Sequence, residues 1–183
     1  MEAEAEESNA DGADGLGSLG QCRGRLRMQP GLPGVYALLF QLDRDRRLGV
    51  GHLGCSSFPR GWYAYVGSAM AGLDRRLGHH LRPHRRPHWH IDYLLPQGRL
   101  AAVIVGYTAS RLECALARAL ADGFRAFHRF GSSDCRCPGH LFHARSRGHL
   151  SHTTLKALED LGCATEVIWA EAAAPQAPTS KSR

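Results

Sequence analysis

The stretch GVYALLFQL, residues 34–42, decides the fold, because its β-branched and aromatic residues favour a β-strand. A second stretch, WYAYVG at 62–67, predicts a strand that a hairpin can set beside the first. Between them, residues 48–53 predict a weaker strand. Alternation gives the first strand one common face, which carries Tyr36, Leu38, Phe40 and Leu42.

The later part of the chain combines helices with one further strand. Leucines at i, i+4 and i+8 predict a helix over 73–81, and an apolar stripe predicts another over 112–120. Residues 100–107 are almost continuously apolar, as in a buried strand, and 88–95 favour a helical turn. Three leucines within 155–161 indicate a last helix. Strands followed by helices indicate an α+β domain.

We predict one folded domain with disordered ends. The length of 183 residues fits one domain, and 43% hydrophobic residues suffice for a packed core. Residues 1–30 and 172–183 lack apolar periodicity, which predicts an acidic N-terminal tail and a C-terminal tail without fixed structure. Between them we expect a domain over 31–145 and a C-terminal helical extension over 146–171.

The charge is distributed unevenly along the chain. The formal net charge is +6, from 23 Lys and Arg against 17 Asp and Glu. Six of the acids lie in the first 20 residues, which contain no Lys or Arg, so 23 bases face 11 acids, or +12, beyond residue 20. A basic body predicts a polyanionic partner, most often nucleic acid, although an arginine-rich surface that only aids solubility has the same composition.

Neither a membrane span nor a secretory signal is expected. No apolar run approaches the about 20 residues that a transmembrane helix needs, and the acidic N-terminus lacks the basic start of a signal peptide. We therefore expect an intracellular protein, cytoplasmic, nucleoid-associated or nuclear, without a membrane partner. Its six cysteines are then reduced thiols or metal ligands.

Five residues carry the first candidate site. Glu113 falls at the edge of an apolar helical stripe, where it is either a helix-start charge or a ligand for a hard cation such as Mg²⁺. Arg76 and His80 are four residues apart and project from one helical face. Tyr36 and Tyr65 lie on strands, where tyrosines usually pack with one polar tip.

The triplets GVY (34–36) and YVG (65–67), followed by Arg76, His80 and the helical Glu113, resemble the GIY-YIG nuclease superfamily. The resemblance is closer still to a subfamily of uncharacterised GIY-YIG-like domains, which occur alone or fused to endonuclease III-type DNA glycosylases. It covers about residues 31–143. The segments that carry it are GWYAYVGSA (61–69), RRLGHHLR (75–82), HWHIDYLL (88–95), RLECALA (111–117) and FGSSDCRCPGHLF (130–142).

The resemblance implies a small three-stranded antiparallel sheet flanked by helices, and metal-dependent cleavage of DNA phosphodiester bonds. Tyr36 and Tyr65 would line the site, one of them orienting or deprotonating the attacking water. Arg76 would bind the scissile phosphate, and Glu113 would hold Mg²⁺ or Mn²⁺. His80 would assist proton transfer. The long interval between the triplets indicates a modified substrate groove.

A basic surface beside this site predicts contacts with DNA phosphates. Its members are Arg75, Arg82, Arg85 and Arg86. The expected partner is DNA, and a DNA repair enzyme is a second expected partner. The alternative function is a non-catalytic DNA-binding accessory module, which would keep the basic surface without turnover.

A second candidate site is a run of thiols and imidazoles that suits Zn²⁺, although its spacing is not the common C-x2–4-C. The ligands would be Cys135, Cys137, His140 and His143. Cys114, His88 or His90 could instead assemble a different site in space. Two further readings stay open, a set of buried structural thiols and a cysteine nucleophile paired with a histidine. The corresponding alternative function is a zinc-binding structural or sensing protein.

Overall fold

The structure is a computed structural model that describes residues 29–82 and 86–170. Residues 1–28 and 171–183, which hold nearly all of the two tails predicted to be disordered, lie outside the described residues. Arg85 of the predicted basic surface also lies outside them.

The described residues form four α-helices and eight β-strands. None of these helices is long and apolar enough to cross a membrane. The helices are α1 (Leu73–His80), α2 (Ile91–Leu94), α3 (Glu113–Ala121) and α4 (Arg147–Asp160). The strands are β1 (Gly34–Leu42), β2 (Arg46–Gly49), β3 (Cys55–Phe58), β4 (Gly61–Ala69), β5 (Arg99–Tyr107), β6 (Arg125–Ala126), β7 (Leu141–Ala144) and β8 (Ala164–Trp169).

The main sheet has six antiparallel strands in the order β6-β7-β4-β1-β5-β8, so the predicted three-stranded sheet is wrong. Its centre consists of the three nine-residue strands β4, β1 and β5. Strands β7 and β8 extend this centre on either side and have four and six residues. Strands this short contain too few residues to show a clear periodicity. They are stable because they pair with a longer neighbour.

Both faces of the sheet are buried. On one face, Tyr36, Leu38 and Phe40 of β1 join a core with leucines of α1 and α2. On the opposite face, Val35 and Leu39 pack with residues of α3 and α4. The alternation of side chains in residues 34–42 therefore predicts correctly which residues of β1 share a face. The two helix pairs lie on opposite faces, so the sheet separates α1 and α2 from α3 and α4.

Two segments differ from the sequence-based expectation. Residues 48–53, predicted as one weak strand, contain the end of β2 and a short 3₁₀ turn, and β2 pairs with β3 in a separate hairpin. The segment 146–171, predicted as a helical extension, contains α4 and then β8, which pairs with β5 from Ala102 to Tyr107. The end of the described chain is thus an edge strand of the main sheet.

Candidate active site and metal centre

A buried hydrogen-bond chain joins Tyr36 of β1, His80 of α1 and Asp92 of α2. The Tyr36 hydroxyl lies 2.8 Å from His80 Nε2, and His80 Nδ1 lies 2.9 Å from Asp92 Oδ1. Asp92 Oδ2 accepts the backbone N–H groups of His88 and Trp89, both at 2.9 Å. Because an ionised carboxylate can only accept, His80 Nδ1 donates to Asp92, and Nε2 of the neutral imidazole accepts from the Tyr36 hydroxyl.

The environment sets the charge states along this chain. Burial opposes ionisation of Asp92, but hydrogen bonds from His80 and from the backbone of Trp89 and His88 outweigh it and hold its pKa well below the usual range. Burial, with nearby negative charge, raises the pKa of both Tyr36 and Tyr65 well above 10. Both tyrosines therefore keep their protons at neutral pH, which favours an orienting role over unaided deprotonation of a water.

The strand register explains the tyrosine of the first triplet and the glycine of the second. Tyr36 of β1 pairs directly with Gly67 of β4. A Cβ added at Gly67 would collide with the ring and hydroxyl of Tyr36, which is 1% exposed and has no free space to retreat into. Glycine at this position lets the tyrosine ring lie across the neighbouring strand and reach His80.

Replacing Gly67 by alanine is expected to lower the free energy of unfolding by about 1–3 kcal/mol, the usual cost of overpacking a core. Chemical denaturation measures this loss. The matched control is Gly78→Ala on α1, where an added Cβ meets no heavy atom within 4 Å. That variant should be neutral or more stable by up to about 1 kcal/mol, because alanine favours helix over glycine. Equal effects of the two substitutions would contradict the packing argument.

A shallow groove lies beside α1. Its cavity volume is about 180 Å³, and the side chains of Arg75, Arg76, His79 and Trp89 line it. The Arg76 guanidinium lies 4.4 Å from the centre of the Trp89 ring, a cation–π contact that holds the charge in place. The groove is smaller than the about 300–1,000 Å³ of typical small-molecule pockets.

The described arginines of the predicted basic surface lie in this groove or close to it in sequence. Arg75 on α1 is exposed, and so are Arg82 and Arg86 on either side of the segment that is not described. The guanidinium groups of the described part of this surface are therefore accessible to solvent.

Glu113, the first residue of α3, is fixed by two hydrogen bonds. Its Oε1 lies 2.9 Å from His140 Nδ1, and its Oε2 accepts the Ser68 hydroxyl at 2.5 Å. Burial raises its pKa, but the hydrogen bonds from His140 and Ser68 and the nearby charge of Arg76 outweigh this, so the pKa is lowered. The half-buried carboxylate is therefore ionised and keeps lone pairs for a further partner.

The five predicted catalytic residues lie together toward the end of the sheet where β1 begins and β4 ends. The charges of Arg76 and Glu113 both act on Tyr36 and on Tyr65. His80 contacts Tyr36 directly, and its ring centre lies 6.3 Å from that of Tyr65. We call this set the tyrosine cluster. Sequence reasoning missed its further member Asp92, whose signal would have been an acid one turn after His88 in HWHIDYLL.

A second cluster adjoins the first and is compatible with a metal ion such as zinc. Its ligand atoms, one from each of four residues, all lie within 4.8 Å of one another. We call it the Cys3His cluster, and it consists of Cys114, Cys135, Cys137 and His140. Cys114 follows Glu113 on α3, whereas the other three residues lie in the segment before β7. His143 lies elsewhere, with its Nε2 3.1 Å from the Arg60 carbonyl oxygen.

Two of the three thiols of this cluster, those of Cys114 and Cys137, are not poised as nucleophiles in the absence of a metal. Burial and the neighbouring thiols of Cys137 and Cys135 raise the pKa of Cys114 to about 12. Burial also raises the pKa of Cys137. Since the thiolate is the reactive form, the raised pKa of Cys137 does not support its role as a nucleophile.

Together these features define an α+β domain in which a buried tyrosine–histidine–aspartate chain adjoins a cluster of metal-ligand type. The chain belongs to the family described as Domain of unknown function DUF123, whose model matches residues 35–163. That family is distinct from the GIY-YIG superfamily, so the predicted membership of the superfamily is wrong. The triplets reflect the packing of a tyrosine on a glycine across paired strands. Such local packing does not specify one family. No curated protein and no solved structure matches the chain.

Proposed function

We propose that this protein binds DNA and hydrolyses phosphodiester bonds with a divalent cation at the tyrosine cluster. The observation that carries the proposal is that two partly buried groups of opposite charge, Arg76 and Glu113, lie beside a buried chain of proton donors and acceptors. Displacement at phosphorus needs a positive clamp, a metal site and a route for one proton, and these residue types can supply all three.

Binding of the substrate would fall to Arg76 and Glu113. Arg76, held against Trp89, would bind the scissile phosphate and stabilise the charge that develops on it. Glu113 would hold Mg²⁺ or Mn²⁺, which polarises a phosphoryl oxygen when bound. Ser68 and His140 support this role because they fix the carboxylate without using all of its lone pairs.

The proton of the attacking water would leave through the buried chain. Tyr36 would accept this proton while giving its own hydroxyl proton to His80 Nε2, so the tyrosine never needs to ionise. The imidazolium that forms would be stabilised by the ionised carboxylate of Asp92. This route is compatible with the raised pKa of Tyr36, which rules out only an unaided tyrosinate at neutral pH.

The cleavage assay that tests the proposal uses labelled single-stranded, duplex, nicked, flap and junction DNA, with Mg²⁺, with Mn²⁺ or without divalent cations. Arg76→Ala is expected to weaken both binding and cleavage about tenfold or more, because a charged hydrogen bond contributes about 1.5–3 kcal/mol. The matched control is Arg99→Ala, since Arg99 is exposed and pairs with Gln41 at the opposite end of β1. Equal activity of the two variants would refute the role of Arg76.

The deep burial of the tyrosines favours a second candidate function. Tyr36 and Tyr65 are only 1% and 5% exposed, as structural residues would be. The protein would then be a non-catalytic DNA-binding module that assists a DNA repair enzyme. Salt-sensitive binding to the same DNAs without cleavage under any cation would support this candidate over the hydrolase.

A further inference from the structure

We propose that the Cys3His cluster binds one structural zinc ion, and that Glu113 orients the ligand His140 from outside the coordination sphere. The proposal goes beyond DNA hydrolysis, because it concerns a second metal and is measured without DNA. It also replaces the ligand set suggested by the sequence, in which His143 stood where Cys114 now stands.

The four donors match zinc in type and in spacing. Three thiolates and one imidazole form a ligand set of structural zinc sites. Two ligands of one tetrahedral zinc ion lie about 3.8 Å apart if both are sulfur, and about 3.6 Å apart if one is nitrogen. The Sγ atom of Cys135 lies 3.5 Å from His140 Nε2, and all four ligand atoms fall within 4.8 Å. Small side-chain shifts would bring the remaining pairs to zinc distances.

The hydrogen bond between Glu113 and His140 points to the same ligand. Metal-binding histidines usually donate the second ring N–H to a carboxylate, which fixes the tautomer and the ring orientation. His140 Nδ1 lies 2.9 Å from Glu113 Oε1, which leaves Nε2 facing Cys135. Ser68 in turn holds the other oxygen of Glu113. The imidazole is therefore already in the orientation that a zinc ligand needs.

The backbone around the cluster is preorganised. The His140 N–H donates to the Phe130 carbonyl at 2.7 Å, and the His140 carbonyl accepts from Val66 at 2.8 Å. The Arg129 N–H donates to the Pro138 carbonyl at 2.7 Å. This hydrogen bond closes the base of the loop that carries Cys135 and Cys137. This loop is thus anchored at β4 before any ion binds, and the ion would fasten its tip to α3.

Four protein ligands leave no open position, so the ion would be structural rather than catalytic. It would join the loop before β7 to the first turn of α3, where Cys114 and Glu113 are adjacent. Loss of the ion would free His140 and so release one of the two hydrogen bonds that hold Glu113. The zinc ion would act on the tyrosine cluster only by positioning Glu113.

Elemental analysis of the purified full chain tests the proposal directly. We expect about one zinc ion per chain, and loss of it in Cys114→Ser, Cys135→Ser and Cys137→Ser. The matched control is Cys55→Ser, because Cys55 is an exposed thiol on β3 outside the cluster. Zinc retained by the three cluster variants as well as by the control would overturn the proposal. So would a wild-type chain that neither contains nor takes up zinc.

A second measurement covers the case in which the cysteine variants fail to fold. After removal of metal from the wild-type chain, added Co²⁺ should give the visible and near-ultraviolet bands of a tetrahedral cobalt–thiolate site. Glu113→Ala should weaken zinc affinity about 10–100-fold while all four ligands remain, as expected when the partner of a ligating histidine is removed. Absence of the cobalt bands would overturn the zinc site, and unchanged affinity would overturn the role of Glu113. Neither result depends on DNA cleavage.

Discussion

Glu113→Gln is expected to abolish DNA cleavage, lowering the rate about 100-fold or more, while DNA affinity stays within a few-fold of wild type. Glutamine has the size of glutamate and keeps an oxygen that can accept from His140 or from Ser68. It lacks the negative charge that a divalent cation requires. The measurement is the initial cleavage rate on the best DNA substrate, beside a binding titration on the same DNA.

The zinc content of Glu113→Gln must be measured in the same preparation. Normal zinc with lost cleavage would assign the effect to the cation at Glu113, since the Cys3His cluster would still be intact. Retained cleavage would refute the assignment of Glu113 as the ligand for Mg²⁺ or Mn²⁺, whatever the zinc content. The zinc proposal would survive that result, because it depends on His140 and the three cysteines and not on turnover.

Asp92→Ala is expected to lower the free energy of unfolding by about 3 kcal/mol or more. The substitution leaves the buried Nδ1–H of His80 and the backbone N–H groups of His88 and Trp89 without their acceptor. Hydrogen bonds to a charged group each contribute about 1.5–3 kcal/mol, and unsatisfied buried donors add a desolvation cost. Urea denaturation followed by circular dichroism measures the loss.

The control for this prediction is Asp160→Ala at the end of α4. The side chain of Asp160 is 65% exposed and forms an ion pair with Lys156, four residues earlier on the same helix. Removing it should change stability by less than about 0.5 kcal/mol. A similar small effect for Asp92→Ala would show that the buried chain contributes little to folding.

The pH dependence of the free energy of unfolding, compared between the wild-type protein and Asp92→Ala, gives an independent check. The folded state holds the pKa of Asp92 well below its unfolded value of about 3.9, so its ionisation stabilises the fold fully above that value. This contribution is lost as the pH falls below about 4 and toward the lower folded-state pKa. The wild-type protein should therefore lose stability over this acidic range more steeply than Asp92→Ala.

Long periodic segments could be predicted from the sequence because their own side chains decide them. The alternation in residues 34–42 and the apolar run in 100–107 each form a nine-residue strand. The leucine spacing in 73–81 and the stripe in 112–120 form α1 and α3. In these segments burial on one or two faces follows from local pattern.

The width of the sheet could not be predicted, since it depends on pairing between distant segments. Strand β6 has two residues and β7 has four, and neither has a pattern that distinguishes it from a loop. Strand β8 completes the other edge by pairing with β5, which is about 60 residues earlier in the chain. Such a strand forms mainly because it can hydrogen-bond to the edge of a neighbouring strand. It is therefore recognised only once the position of that neighbour is known.

The sequence by itself determined the chemical types available, namely two strand tyrosines, a helical Arg76 and His80, a carboxylate at a helix start, and a loop rich in cysteine and histidine. Only the tertiary structure decided which of them meet. It placed Asp92 behind His80, and it placed Cys114 in the cluster while His143 turned to the Arg60 carbonyl. The reason is physical: hydrogen bonds and metal ligation act over a few ångströms in space, and residues far apart in sequence reach that range only through the packing of helices on a sheet.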